Sequence, residues 1–90
     1  MRKSIHSREY QAFLAVLRDV RLANGVTQIE LAERLGQSQA YVSKSERGER
    51  RIDVIELWRF CTALDEPFGT FVSLLDEKLK ALTPADTKGN

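Results

Sequence analysis

Ninety residues bound one small domain rather than two, and a chain of this size buries only about 60–65% of its unfolded surface, so every apolar position counts. A composition of 42% apolar and 30% charged residues is that of a globular rather than a disordered protein, and a single cysteine excludes an internal disulfide and fits a cytoplasmic setting. The net charge of +1 hides an asymmetry: residues 1–51 sum to +4 and residues 52–90 to −3, a mild positive field compatible with an anionic partner.

Residues 1–6 read as an N-terminal arm, 7–82 as the domain and 83–90 as a flexible polar tail. The apolar run Ala12–Leu17 stops at Arg18. It is too short for a signal-peptide core or a membrane span, so a soluble, unprocessed chain with no membrane partner is expected. Nowhere do apolar and polar residues alternate as in a strand; helical spacing recurs instead. Tyr10, Phe13, Leu14 and Leu17 form the inward stripe of a first helix, placed from about Ser7 to Asn24 and stopped by Asn24-Gly25. Thr27-Gln-Ile-Glu30 is a capping box opening a second helix, which turns Leu31, Ala32 and Leu35 inward and ends at Gly36. Ser38 caps a third helix, Gln39 to Arg47, stopped by Gly48. Asp53 and Glu56 form a second capping box for a fourth helix with Val54, Leu57, Phe60, Cys61 and Leu64 on one face. Pro67 suits the first turn of a fifth, whose stripe is Phe68, Phe71, Val72, Leu75 and Leu79. The fold class is all-α, with five short helices and no sheet.

The third helix is the odd one. Within GQSQAYVSKSERGER, residues 36–50, Val42 is the only clear aliphatic, so most of this helix surface has no core to enter. A buried helix followed by a short turn and a largely polar helix is the organisation of a helix-turn-helix reader, whose second helix enters the major groove of double-stranded DNA. Gln39 stands at the N-terminus of that helix, where an amide matches the N6/N7 edge of adenine. Lys44 reaches guanine or a phosphate, Ser43 donates or accepts, and Tyr41 offers a ring to a thymine methyl and a hydroxyl to a phosphate. Gln28, at the positive end of the second helix, is a phosphate candidate. Ser38, Tyr41, Arg47, Arg50 and Arg51 complete the phosphate set; for Arg50 and Arg51 the alternative is surface pairing with Glu46 or Glu49.

TQIELAERLGQSQAYVSKSERGER resembles the helix-turn-helix of the Cro/phage-repressor (XRE-like) family. Gln28 opens the second helix, Ala32 is the small residue where helices cross, Gly36 makes the turn, Val42 is the aliphatic anchor, and Glu46-Arg47-Gly48 ends the reader. The resemblance extends from about Tyr10 to Leu64. It implies a five-helix lambda-repressor-like DNA-binding domain that binds an inverted-repeat operator as a homodimer, in a bacterium or phage. It also implies Gln28 on phosphate and Gln39, Ala40, Ser43 and Lys44 facing bases. Three positions depart from the family pattern: Ser45 replaces a large apolar residue, Asp65 a glycine, and Ile52 a frequent proline.

The remaining residues fit no catalytic constellation. His6 is a lone histidine, Cys61 falls on an inward stripe, and no glycine-rich phosphate loop or metal cluster is present, so neither an enzyme nor a cofactor is expected. The fifth helix carries more apolar residues than one narrow core face needs. Trp58, Phe68, Phe71, Leu74, Leu75 and Leu79 are therefore the expected dimer interface, with core edge the alternative for Trp58. The leading function is a sequence-specific dimeric transcriptional repressor. The alternative is a protein-interaction module, such as an antitoxin gripping a partner protein, with secondary DNA binding.

Overall fold

In the computed structural model, which describes residues 7–82, the Ser7 hydroxyl accepts a hydrogen bond from the Tyr10 amide at 3.0 Å and opens helix α1, Arg8–Ala23. The Thr27–Glu30 box opens α2, Gln28–Leu35, and Ser38 caps α3, Gln39–Glu46, by accepting from the Tyr41 amide at 3.1 Å. The Asp53–Glu56 box opens α4, Val54–Ala63. Pro67 precedes α5, Phe68–Lys80, without a side-chain cap. The described residues contain no strand. The expected arm, residues 1–6, and tail, residues 83–90, lie outside the described residues.

The first four helices end alike. An amide one or two residues past each cap donates five residues back into the last turn: Val26 to Arg21, Gln37 to Ala32, Glu49 to Lys44 and Glu66 to Cys61, at 2.9–3.1 Å. Each such ending needs a left-handed residue. Gly36 supplies it between α2 and α3 with φ +68°, and at the end of α4 Asp65 supplies it with φ +59°, a conformation that Asp tolerates better than most side chains.

The core is built where the helices converge. Phe13, Leu17 and Val20 of α1 meet Leu31 and Ala32 of α2, Val42 of α3, Leu57, Phe60, Cys61 and Leu64 of α4, and Phe71 of α5. α1 packs on α5 and α3, α2 on α3 and α4, and α4 on α5. Three expected positions are corrected. Val72, placed on the inward stripe of α5, is 44% exposed. Val54 is 63% exposed, because as the first residue of α4 it points away from the packed face. Phe71 is wholly buried, its ring edge-on to Phe13 at a 6.2 Å centroid separation, so it is core and not a surface for a partner.

Candidate nucleic-acid interface

Val42 and Ser45 are the only residues of α3 buried in backbone and side chain together. Burying one such aliphatic stabilises by about 1.5–3 kcal/mol, too little to fix an eight-residue helix that is otherwise polar. Ser45, where the resemblance leads one to expect a large apolar side chain, satisfies its hydroxyl by donating to the Tyr41 carbonyl at 2.7 Å.

The tighter hold is polar. Glu46, the last residue of α3, receives Arg21 Nε at 2.5 Å and Nη2 at 3.1 Å, while Arg21 Nη1 donates to the Val26 carbonyl at 2.8 Å. Gln28 Nε2 donates to Glu46 Oε1 at 2.9 Å. One buried carboxylate thus joins α1, the α1–α2 turn and the first residue of α2 to the end of α3 through charge-assisted bonds. Sequence reasoning missed Arg21. A signal was there, since Arg21 continues the Leu14, Leu17 stripe of α1, and an arginine on a buried stripe demands a carboxylate partner.

With α3 so held, its outer side is free. Gln39, Ala40 and Lys44 are exposed, and Ser43 is half-buried. Neither the Gln39 amide nor the Lys44 ammonium has a side-chain hydrogen bond or ion pair among the described residues. Ser38 accepts in its cap but keeps its own proton to donate. Gln28 spends one amide proton on Glu46 and retains the second. It stands at the α2 N-terminus, where the first backbone amides lack intrahelical acceptors and the dipole favours an anion.

Several of the expected phosphate cations already have partners. Arg47 donates to the Ser43 hydroxyl and grips Glu49 at 2.9 and 3.2 Å. That hydrogen bonding holds the Glu49 carboxyl below the usual carboxylate range. Arg50 pairs with neither Glu46 nor Glu49 but with Glu56, and its guanidinium lies 4.1 Å over the Tyr41 ring. The same ring stacks on Phe60, with centroids 6.2 Å apart. The Tyr41 ring therefore faces α4 and is not presented to a thymine methyl, as the sequence had suggested, and its burial pushes the hydroxyl above the ordinary tyrosine range.

Arg51 lies 4.6 Å over the ring of Tyr10, whose hydroxyl accepts from the Ile52 amide at 3.0 Å. A proline at position 52 has no N–H to give, so here the departure from the family pattern carries a contact of its own.

The expected dimer residues are divided. Trp58, 52% exposed, and Leu74, 42% exposed, face outward, whereas Phe68, Leu75 and Leu79 are half-buried, the first two against the core. Val54 and Ile55 of α4 and Val72 of α5 add exposed apolar surface; Ile55 was not picked out from the sequence. Burial pushes the Cys61 thiol up to about 11. No helix among the described residues is long and apolar enough to cross a membrane.

Comparison with known proteins agrees with this geometry. A family model described as helix-turn-helix matches residues 17–71. A curated relative, the HTH-type transcriptional regulator SutR of Escherichia coli (strain K12), is 39% identical over 57 residues, 63% of this chain and 32% of that protein. The chain thus spans about a third of that relative's length. Among solved structures, an XRE-family like protein from Pseudomonas syringae pv. tomato str. DC3000 is 46% identical, with a TM-score of 0.74, covering 78% of this chain and 85% of that one. A point mutant of the restriction-modification controller protein C.Esp1396I is 26% identical, with a TM-score of 0.77, covering 82% and 99%. That controller has also been solved as a tetramer in complex with its natural 35 base-pair operator. An arginine-locked reader helix, a glycine turn before it and a match spanning α1 to α5 agree on one assignment: the chain belongs to the XRE family of helix-turn-helix proteins.

Proposed function

We propose that the chain is a sequence-specific DNA-binding transcriptional regulator that acts as a dimeric repressor on an inverted-repeat operator. The observation that carries this reading is the α3 surface: Ala40 and Lys44 stand exposed on the side turned away from Val42 and Glu46, which fix the helix, and Gln39 is exposed at its N-terminus. Gln39 is the adenine reader, Ser43 and Lys44 read or flank the neighbouring base pairs, and Gln28 and Ser38 donate to phosphates. Arg47, Arg50 and Arg51 border the same edge and exchange present contacts for phosphate on docking. Dimerisation uses exposed apolar side chains that include Trp58 and Leu74. A compact domain seated over a promoter blocks polymerase by occupancy alone. The controller protein seen on its operator supports the reading by kinship.

Selection from a random duplex pool tests it. Recovery of one inverted repeat, bound about 10³-fold or more over random duplex, is expected. Gln39→Ala is expected to cost about 1–3 kcal/mol and to relax preference at one base position. Recovery of no preferred sequence contradicts the proposal. The interaction-module reading, which the exposed Val54, Ile55 and Trp58 of α4 favour, would then take its place.

A further inference from the structure

Arg18 was not among the residues expected to bind DNA, and it lies on α1, outside the helix-turn-helix itself. Arg18, Arg21, Gln28, Ser43, Glu46 and Arg47 line an open cleft of about 280 Å³ between α1 and the α2–α3 pair. The only carboxylate in that lining, Glu46, is neutralised by Arg21. The lining also holds the second amide proton of Gln28, at the positive end of α2.

The cations near α3 differ in their partners. Arg21 has Glu46, Arg47 has Glu49 and Arg50 has Glu56. Arg18 has no hydrogen bond or ion pair among the described residues. Its sequence neighbour Asp19 is no counter-ion, since adjacent helix residues do not face each other. Asp19 lines the groove between α1 and α5 instead. Arg18 is thus an exposed guanidinium with no counter-ion among the described residues, lining a cleft beside the reader helix.

We propose that Arg18 is a phosphate-binding residue that, with Arg47 and Gln28 across the cleft, clamps one backbone phosphate of the bound duplex. The inference rests on the DNA-binding reading. A guanidinium there positions the reader without carrying sequence information, and docking one phosphate at the cleft fixes the depth at which α3 enters the groove.

The test is fluorescence anisotropy on the selected duplex across a salt series, with wild type, Arg18→Gln and, as a control on α5, Lys78→Gln. Arg18→Gln is expected to bind all duplexes roughly 3–10-fold more weakly, with the same preferred sequence and an unchanged melting temperature. Its plot of log K against log salt is expected to be shallower by about 0.9, the loss of one phosphate contact. Arg18→Lys is expected to restore the slope, and Lys78→Gln to match wild type.

A wild-type slope and affinity in Arg18→Gln, beside steep wild-type binding, overturns the clamp while leaving the DNA reading intact. Absence of salt-dependent duplex binding by wild type overturns both. Inorganic phosphate at matched ionic strength is expected to compete no better than chloride; strong competition would assign the cleft to a free anion and overturn the duplex clamp.

Discussion

Residues 46 and 47 are neighbours, yet their ion pairs belong to different physical regimes. Glu46 meets Arg21 with side chains 5% and 8% exposed, whereas Arg47 meets Glu49 with both more than half exposed. The chemistry is the same, a guanidinium on a carboxylate. In the buried pair, removing one partner strands a charge away from water, so the pair acts as a lock on α3. In the exposed pair water substitutes readily for either partner, so the contact is exchangeable. On the proposed function a reader helix uses both kinds: one end fixed to the scaffold, and surface cations that can trade a carboxylate for a phosphate.

The largest effect belongs to the lock. Glu46→Ala leaves Arg21 buried without its partner and is expected to cost about 3–5 kcal/mol in denaturant unfolding. A loss below about 1 kcal/mol would erase the distinction between the pairs.

Next comes Tyr10→Phe, which removes the acceptor of the part-buried Ile52 amide and is expected to cost about 1–2 kcal/mol. Ile52→Pro in the same background should add little beyond it on this count, since both remove the same bond.

Asp65→Gly relieves a left-handed side chain and is expected to gain about 1 kcal/mol; a loss would show that the Asp65 side chain carries a contact of its own.

Acid probes the carboxylates of the helix starts and of the loop after α3. Glu56 is held below its ordinary value of 4.5, first by the Asp53 amide and then by Arg50. Glu30 is lowered likewise, by hydrogen bonds from Thr27. A depressed carboxyl contributes stability that is complete above its unfolded value and is lost as pH falls through the folded one. Melting temperature should therefore hold from pH 7 to 5 and fall below 4.5, less steeply in Glu56→Gln.

Smallest in stability is Glu49→Gln, which is expected to leave unfolding unchanged while raising affinity for duplex DNA.

The helices were legible because their signals are local. Two capping boxes, Ser7, Ser38 and three glycines mark starts and stops that owe nothing to the rest of the fold. The weakly buried face of α3 was legible for the same reason, with Val42 alone among polar neighbours. Partners distant in sequence were not legible. Nothing local tells Arg50 to choose Glu56 over Glu49, or turns the Tyr41 ring toward Phe60 and away from solvent. Arg21 reaches across 25 residues to Glu46. Phe71 and Val72 are consecutive on α5, and only the position of α1 decides that the first is core and the second is exposed. Arg18 carries no sequence signal, because a cation on the outer face of a helix is ordinary until another element forms a cleft beside it.

The most direct measurement is the salt dependence of duplex binding for wild type and Glu49→Gln, compared by anisotropy on the selected operator. If the exposed pair yields to phosphate, the variant frees Arg47 in advance. It should then bind more tightly than wild type, with a slope of log K against log salt steeper by up to about one. Identical isotherms at every salt concentration would mean that Arg47 never leaves Glu49. They would contradict the division of labour between a buried lock and an exchangeable surface pair.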